Sequence, residues 1–217
     1  MQAALIREAR SADMISAAMS IDFPDPLVVM ALPLESQGVF ERAGIPVLYT
    51  GIGKVNAAYA LTRRLGEYLH AAVPLPHVIN FGTAGSRRHP TGVMVECHMF
   101  VQRDMDVSGL GVPLGVTPFE DTPAQLHFPP IFEQLPRGVC GSGDSFATTE
   151  AAVACDVVDM EGYALAKVCW LERVAFTSVK FITDGADHAA AQDWQSNLKH
   201  AADGFLKLYQ QLFQDDG

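Results

Sequence analysis

Val47-Leu48-Tyr49, then Gly51 to His70, then His77-Val78-Ile79-Asn80-Phe81: an apolar run, a stretch of helical composition and a second apolar run decide the fold class of this chain. Short uninterrupted apolar runs read as strands buried on both faces. Between them, Val55, Ala58, Tyr59, Leu61, Thr62, Leu65 and Leu69 recur at helical spacing, and glycine occurs mainly at the start of the stretch. Working outward, Leu27-Val28-Val29-Met30-Ala31-Leu32 supplies a strand ahead of this unit. Further strands are expected at Gly92 to Val101, Arg137 to Cys140, Cys155 to Val158 and Val174 to Ile182. Helices are expected at Gly162 to Leu171 and at Gln192 to Phe213, where Trp194, Leu198, Ala201, Phe205, Leu208 and Leu212 form a stripe. The class is therefore α/β, a mixed sheet flanked by helices.

The chain has 217 residues, 49% hydrophobic and 18% charged, enough for one sizeable domain with a real core. Residues 27–217 are assigned to that domain and residues 1–26 to an N-terminal extension. Leu5, Ile6, Ala9, Met14, Ala17, Ala18 and Ile21 share one broad helical face, so the extension reads either as an amphipathic element docked on the domain or a partner, or as a frayed arm. From Ser108 to Pro136 the chain is rich in Gly, Pro and isolated apolar residues, the composition of a long binding loop or interface segment.

A net charge of -10 argues against nucleic acid and against an anionic membrane surface as partners. No apolar stretch has the length of a membrane span or a secretory leader, so a soluble, cytoplasmic protein is expected. Cys97, Cys140, Cys155 and Cys169 lie far apart without a Cys-x-x-Cys pair, which indicates neither a zinc knuckle nor a redox motif and points to reduced, mostly buried thiols. Small-molecule chemistry is the class that remains.

Val158-Asp159-Met160-Glu161-Gly162 and Phe181-Ile182-Thr183-Asp184-Gly185-Ala186-Asp187 each place acids at the end of an apolar run. Carboxylates are costly to desolvate, so these are either helix-capping loop acids or a pair of groups for proton transfer and hydroxyl binding. Two strand-terminal glycine clusters accompany them, Thr50-Gly51-Ile52-Gly53-Lys54-Val55-Asn56 and Asn80-Phe81-Gly82-Thr83-Ala84-Gly85-Ser86. The first lacks the last glycine and the later acid of a dinucleotide fingerprint, and neither has phosphate-loop spacing, so no nicotinamide cofactor or nucleoside triphosphate is expected.

Taken in order, Ala31-Leu32-Pro33-Leu34-Glu35, Gly51-Ile52-Gly53-Lys54-Val55, Gly82-Thr83-Ala84-Gly85, Ser142-Gly143-Asp144-Ser145-Phe146, Asp159-Met160-Glu161-Gly162 and Thr183-Asp184-Gly185-Ala186-Asp187 form a pattern. It resembles the nucleoside phosphorylase and nucleosidase superfamily, and within it the 5′-methylthioadenosine/S-adenosylhomocysteine nucleosidase branch, from about Leu27 to the C-terminal helix. The resemblance implies a single α/β domain around a mixed, partly barrel-like sheet, a homodimer, no cofactor and no metal. It makes Asp184 the general acid toward N7 of a purine, Glu161 the ribose-binding carboxylate and Glu35 the residue that orients and deprotonates water. Met160 would pack under the ribose, Phe146 would stack on the base, and Thr83 and Gly85 would line the pocket. Val107, Leu110 and Pro118 would reach the 5′ pocket of the neighbouring subunit.

A phosphorylase of this superfamily needs arginines converging on inorganic phosphate, typically after the first strand and before the glycine turn. Those places hold Glu35 and Asn80-Phe81, which favours water, with Arg87 and Arg88 as the phosphorylase alternative. The stretch after Phe146 and the region from Thr117 to Gly138 are shorter than the family pattern. This leaves open a hydrolase of another 5′-modified nucleoside such as futalosine. A nucleoside-binding protein without activity is the non-enzyme alternative.

Overall fold

The computed structural model describes residues 26–147, 151–186 and 201–213. The expected N-terminal extension, Asp187 and the first part of the closing helix, with Trp194 and Leu198, lie outside the described residues. The chain opens with β1 (Pro26–Met30), two short helices α1 (Pro33–Ser36) and α2 (Val39–Arg42), β2 (Val47–Tyr49) and the long helix α3 (Lys54–His70). There follow β3 (His77–Gly85), β4 (Met94–Gln102), a 3-10 turn at Ser108–Leu110, β5 (Gln125–His127), β6 (Arg137–Ser142) and β7 (Val157–Asp159). Helix α4 (Gly162–Glu172), β8 (Phe176–Asp184) and helix α5 (Ala201–Phe213) complete the described chain.

The strands close on themselves. β3 pairs with β8, β8 with β4, β4 with β6, β6 with β7 and β7 back to β3, while β1 and β2 extend the sheet from β3, and β5 hangs on β4. The β3–β8 and β1–β3 pairs are parallel and the β4–β8 and β3–β7 pairs antiparallel, so the sheet is mixed and partly barrel-like.

Two apolar cores flank the sheet, and the period-2 alternation of its strands feeds both. Leu27 and Val29 of β1 and Val78 of β3 join the core under α3 and α4. Val28 and Met30 with Ile79 and Phe81 join the core under α2 and α5, where Phe81 stacks on Phe205 at 5.1 Å between centroids. Among the described residues no helix is long and apolar enough to cross a membrane.

Three sequence expectations are corrected. Helix α3 buries Ala57, Leu61 and Leu65, one row at i, i+4 spacing, and leaves Val55, Tyr59 and Leu69 exposed, so the apolar residues of this helix serve two faces. β2 is half-buried, because it is the edge strand of the extension and only β1 pairs with it, although Leu48 packs on one core and Val47 and Tyr49 on the other. The Ser108 to Pro136 segment contains β5, a three-residue strand antiparallel to β4 that its composition does not announce.

Candidate active site

The carboxyl ends of β1, β3 and β8, three parallel neighbours, deliver one side of a cavity of about 210 Å³. The register of β3 against β8 slips between Ala84 and Gly85, which sets Gly85 opposite Asp184. β7 crosses the end of β3 through the Gly85–Val158 pair and thereby carries Met160 and Glu161 to the same cavity. Glu35, Thr83, Gly85, Phe146, Met160, Glu161 and Asp184 all line it, so seven residues separated by up to 149 positions in the chain converge.

Glu35 is buried in the short helix α1. Its Oε2 accepts hydrogen bonds from the amides of Ala31 (3.0 Å) and Leu32 (3.1 Å), and its Oε1 accepts from the amide (2.8 Å) and hydroxyl (3.0 Å) of Thr83. Four donors from two strands' ends hold it, unlike a solvated strand-end acid. Each charge-assisted bond to a buried carboxylate offsets part of its desolvation.

Glu161 is likewise buried, and its Oε1 accepts from the amide of Gly53 at 2.8 Å. That amide points inward because Gly53 sits at φ 94°, a conformation side chains rarely adopt, just ahead of α3. Burial, reinforced by the nearby Asp159 carboxylate, pushes the Glu161 carboxyl up to about 7, while the Lys180 ammonium and the Gly53 amide restrain the rise.

Asp184 ends β8 and is buried. Its Oδ1 accepts from the amide of Ala186 (2.9 Å) and its Oδ2 from the Thr183 hydroxyl (2.8 Å). The glycine at position 185 therefore does not leave the acid loose, because the next amide grips it. Gly85 is required beside it: a Cβ there would stand 2.5 Å from Asp184 Oδ1.

Phe146 is 49% exposed and lines the cavity. Val107, Leu110 and Pro118 do not line the cavity of this chain, and Leu110 is 74% exposed. Arg87 and Arg88 also lie elsewhere. Arg88 pairs with Asp156 at 2.6 Å and Arg87 donates to the Ala186 carbonyl at 3.1 Å.

Lys180 and Arg103 escaped the sequence reading as participants in this cavity, and Asp159, read as one of the strand-end acids, was given no role of its own. Lys180, in the middle of β8, is buried and pairs with Asp159 at 2.8 Å. Asp159 in turn accepts from the Ser142 hydroxyl and from the Gly162 amide. Burial pushes the Asp159 carboxyl up, but the Lys180 ammonium together with the Ser142 hydroxyl and the Gly162 amide holds it below the usual range. Arg103, just past β4, lines the cavity and donates to Ser145 and Gly143. The signal for Lys180 was present, a lone cation in an otherwise buried strand. Arg103 opens the segment that the resemblance sends to the neighbouring subunit's 5′ pocket, and nothing local marked it for the cavity of its own chain.

The model of the phosphorylase superfamily matches residues 37–214. The chain belongs to that superfamily. Among its relatives, 5′-methylthioadenosine/S-adenosylhomocysteine nucleosidase of Haemophilus influenzae is 31% identical over 186 residues, 76% of this chain and 79% of that protein. Aminodeoxyfutalosine nucleosidase of Helicobacter pylori is 28% identical over 193 residues, 79% of this chain and 82% of that protein. The crystal structure of the 5′-methylthioadenosine/S-adenosylhomocysteine nucleosidase of Helicobacter pylori, with butyl-thio-DADMe-Immucillin-A, superposes with a TM-score of 0.75 at 22% identity. It covers 89% of this chain and 99% of that one and shares the phosphorylase-superfamily fold.

Proposed function

We propose that this chain hydrolyses the N-glycosidic bond of a purine nucleoside of the 5′-methylthioadenosine/S-adenosylhomocysteine type and releases the free base. The observation that carries the reading is the convergence of Glu35, Glu161 and Asp184 on one cavity that Phe146 and Met160 also line.

Phe146 stacks on the purine and Met160 packs under the ribose. Asp184 gives its proton to N7, so the base departs neutral as the glycosidic bond breaks and its electron pair passes to the base. Glu161 accepts hydrogen bonds from the ribose hydroxyls and stabilises the positive charge that develops on the sugar. Glu35 orients a water and takes its proton as the water oxygen bonds to the anomeric carbon. Thr83 and Gly85 line the sugar and water end.

Water is favoured over phosphate by the disposition of charge. Arg87 and Arg88 are engaged away from the cavity, and the lining cation Arg103 is tied to backbone carbonyls. The enzyme works as a cytoplasmic homodimer whose second copy supplies Val107, Leu110 and Pro118 to the 5′ pocket, residues that do not line the cavity of their own chain. Residues 27–217 form the catalytic domain and residues 1–26 an extension to it. A futalosine-type nucleoside is the second reading, supported by the aminodeoxyfutalosine nucleosidase relative.

Asp184→Asn tests the assignment. The variant keeps nucleoside binding and loses about 10²- to 10⁴-fold in base release, the usual worth of a general acid. Undiminished turnover would remove Asp184 from the role, and lost binding with lost turnover would make it a binding residue and leave the acid unassigned.

A further inference from the structure

We propose that Arg103 and Asp104 are positioning residues for Phe146, a clamp that fixes the direction of the base-stacking ring; the inference rests on the nucleoside reading above. β4 ends at Gln102, and the next two side chains turn onto the loop that follows β6. Arg103 donates through Nη1 to the Ser145 hydroxyl (3.2 Å) and through Nη2 to the carbonyls of Gly143 (3.3 Å) and Ser145. Asp104 accepts the amide of Asp144 at 2.9 Å. Backbone atoms of three successive residues are thus held by side chains of two, immediately before Phe146.

Phe146 needs that support. It is half-exposed, so core packing does not set its orientation, and the backbone that leads into it must. The arginine side chain packs close against the loop: a Cβ on Gly143 would stand 2.9 Å from Arg103 Cζ and 3.1 Å from Nε. A planar fork that reaches three acceptors is arginine chemistry, which a lysine cannot reproduce.

The clamp also reaches the sugar end of the site. Asp104 pairs with Lys54 Nζ, and Asp144 Oδ1 accepts the Lys54 amide at 2.8 Å. Lys54 opens α3 directly after Gly53, whose amide binds Glu161. Burial would push the Asp104 carboxyl up, but the Lys54 ammonium and the Asp144 amide hold it below its ordinary range, so it is charged at neutral pH. Ring and ribose carboxylate are therefore registered through one lysine.

A stacking contact present in both ground and transition states changes KM and leaves kcat. The test compares the wild-type chain with Arg103→Ala, Gly143→Ala and Arg103→Lys. Three quantities are measured: hydrogen exchange of residues 143–147, KM and kcat with 5′-methylthioadenosine, and affinity for free adenine. Arg103→Ala accelerates exchange in that loop, raises KM and weakens adenine binding about tenfold, the range for one base–aromatic stack, and leaves kcat within about twofold. Gly143→Ala does the same by displacing the guanidinium without removing its charge, and it stands in if Arg103→Ala fails to fold. Arg103→Lys does not restore KM.

Unchanged exchange would overturn the clamp. So would faster exchange with KM and adenine affinity retained, which would make it a loop staple only, or a fall in kcat at constant KM. If the wild type neither binds adenine nor cleaves a nucleoside, the nucleoside reading fails and the clamp falls with it, whereas an active wild type with unaffected variants overturns the clamp alone.

Discussion

At the scale of single residues, the site works by placing acids in different electrostatic settings. Glu161 shares its surroundings with Asp159, Lys180 and Glu35, and its carboxyl is held near 7 by burial first and Asp159 second. If the ionised form binds the ribose hydroxyls, kcat/KM of the free enzyme rises with pH through about 7 as Glu161 loses its proton. The stability effect has the opposite sign. The native state binds this proton more tightly than the unfolded chain, where glutamate titrates near 4.3, so the contribution is present below about 4.3 and lost as pH rises through about 7. Glu161→Gln should abolish both dependences in a pH series of rates and of thermal melts, and an unchanged acid limb would assign the titration to another group. Lys180→Met should move the acid limb to higher pH, because the cation that restrains Glu161 is gone. It should also cost about 3–5 kcal/mol of stability by leaving Asp159 charged and buried without its partner. Lys180→Arg, which keeps the charge, should recover most of both, as read by chemical denaturation and the same pH series.

At the scale of elements, legibility followed apolar pattern and punctuation. The cores of β1, β3, β4, β6 and β8 could be read because each is an apolar run bounded by Pro, Gly or a charge, and β2 was found as an element though its edge position was not. β5 was invisible: Gln125-Leu126-His127 offers one buried residue between two exposed ones, and only pairing with β4 makes it a strand. Helices α1 and α2 were missed because four residues each are too few for a period to show. In the site, Glu35, Glu161 and Asp184 were visible as acids after apolar runs, whereas Arg103 was not. Its partners lie about forty residues away, and no local spacing encodes a contact made by tertiary structure.

At the scale of the whole molecule, the closed sheet gathers the site at one end, while the Ser108 to Phe119 segment turns outward. Leu110 and Leu114 are exposed there, and Phe119 is fully exposed at φ 61°, a left-handed conformation that costs a bulky residue energy. Apolar surface in that setting suits cover by a second copy. If the chain is the dimer proposed above, Leu110→Asp is expected to shift it toward monomer in sedimentation and to raise KM roughly tenfold, as loss of one interface anchor does. An unchanged KM in a dissociated protein would remove this segment from the 5′ pocket.

The most direct test of the central claim is chromatographic detection of free base from 5′-methylthioadenosine, S-adenosylhomocysteine, adenosine, inosine and futalosine, each with and without inorganic phosphate. Base release is expected to be independent of phosphate and strongest for a 5′-modified purine nucleoside. Release only with phosphate, with a pentose 1-phosphate as co-product, would contradict it and make an arginine of this chain the holder of an anion.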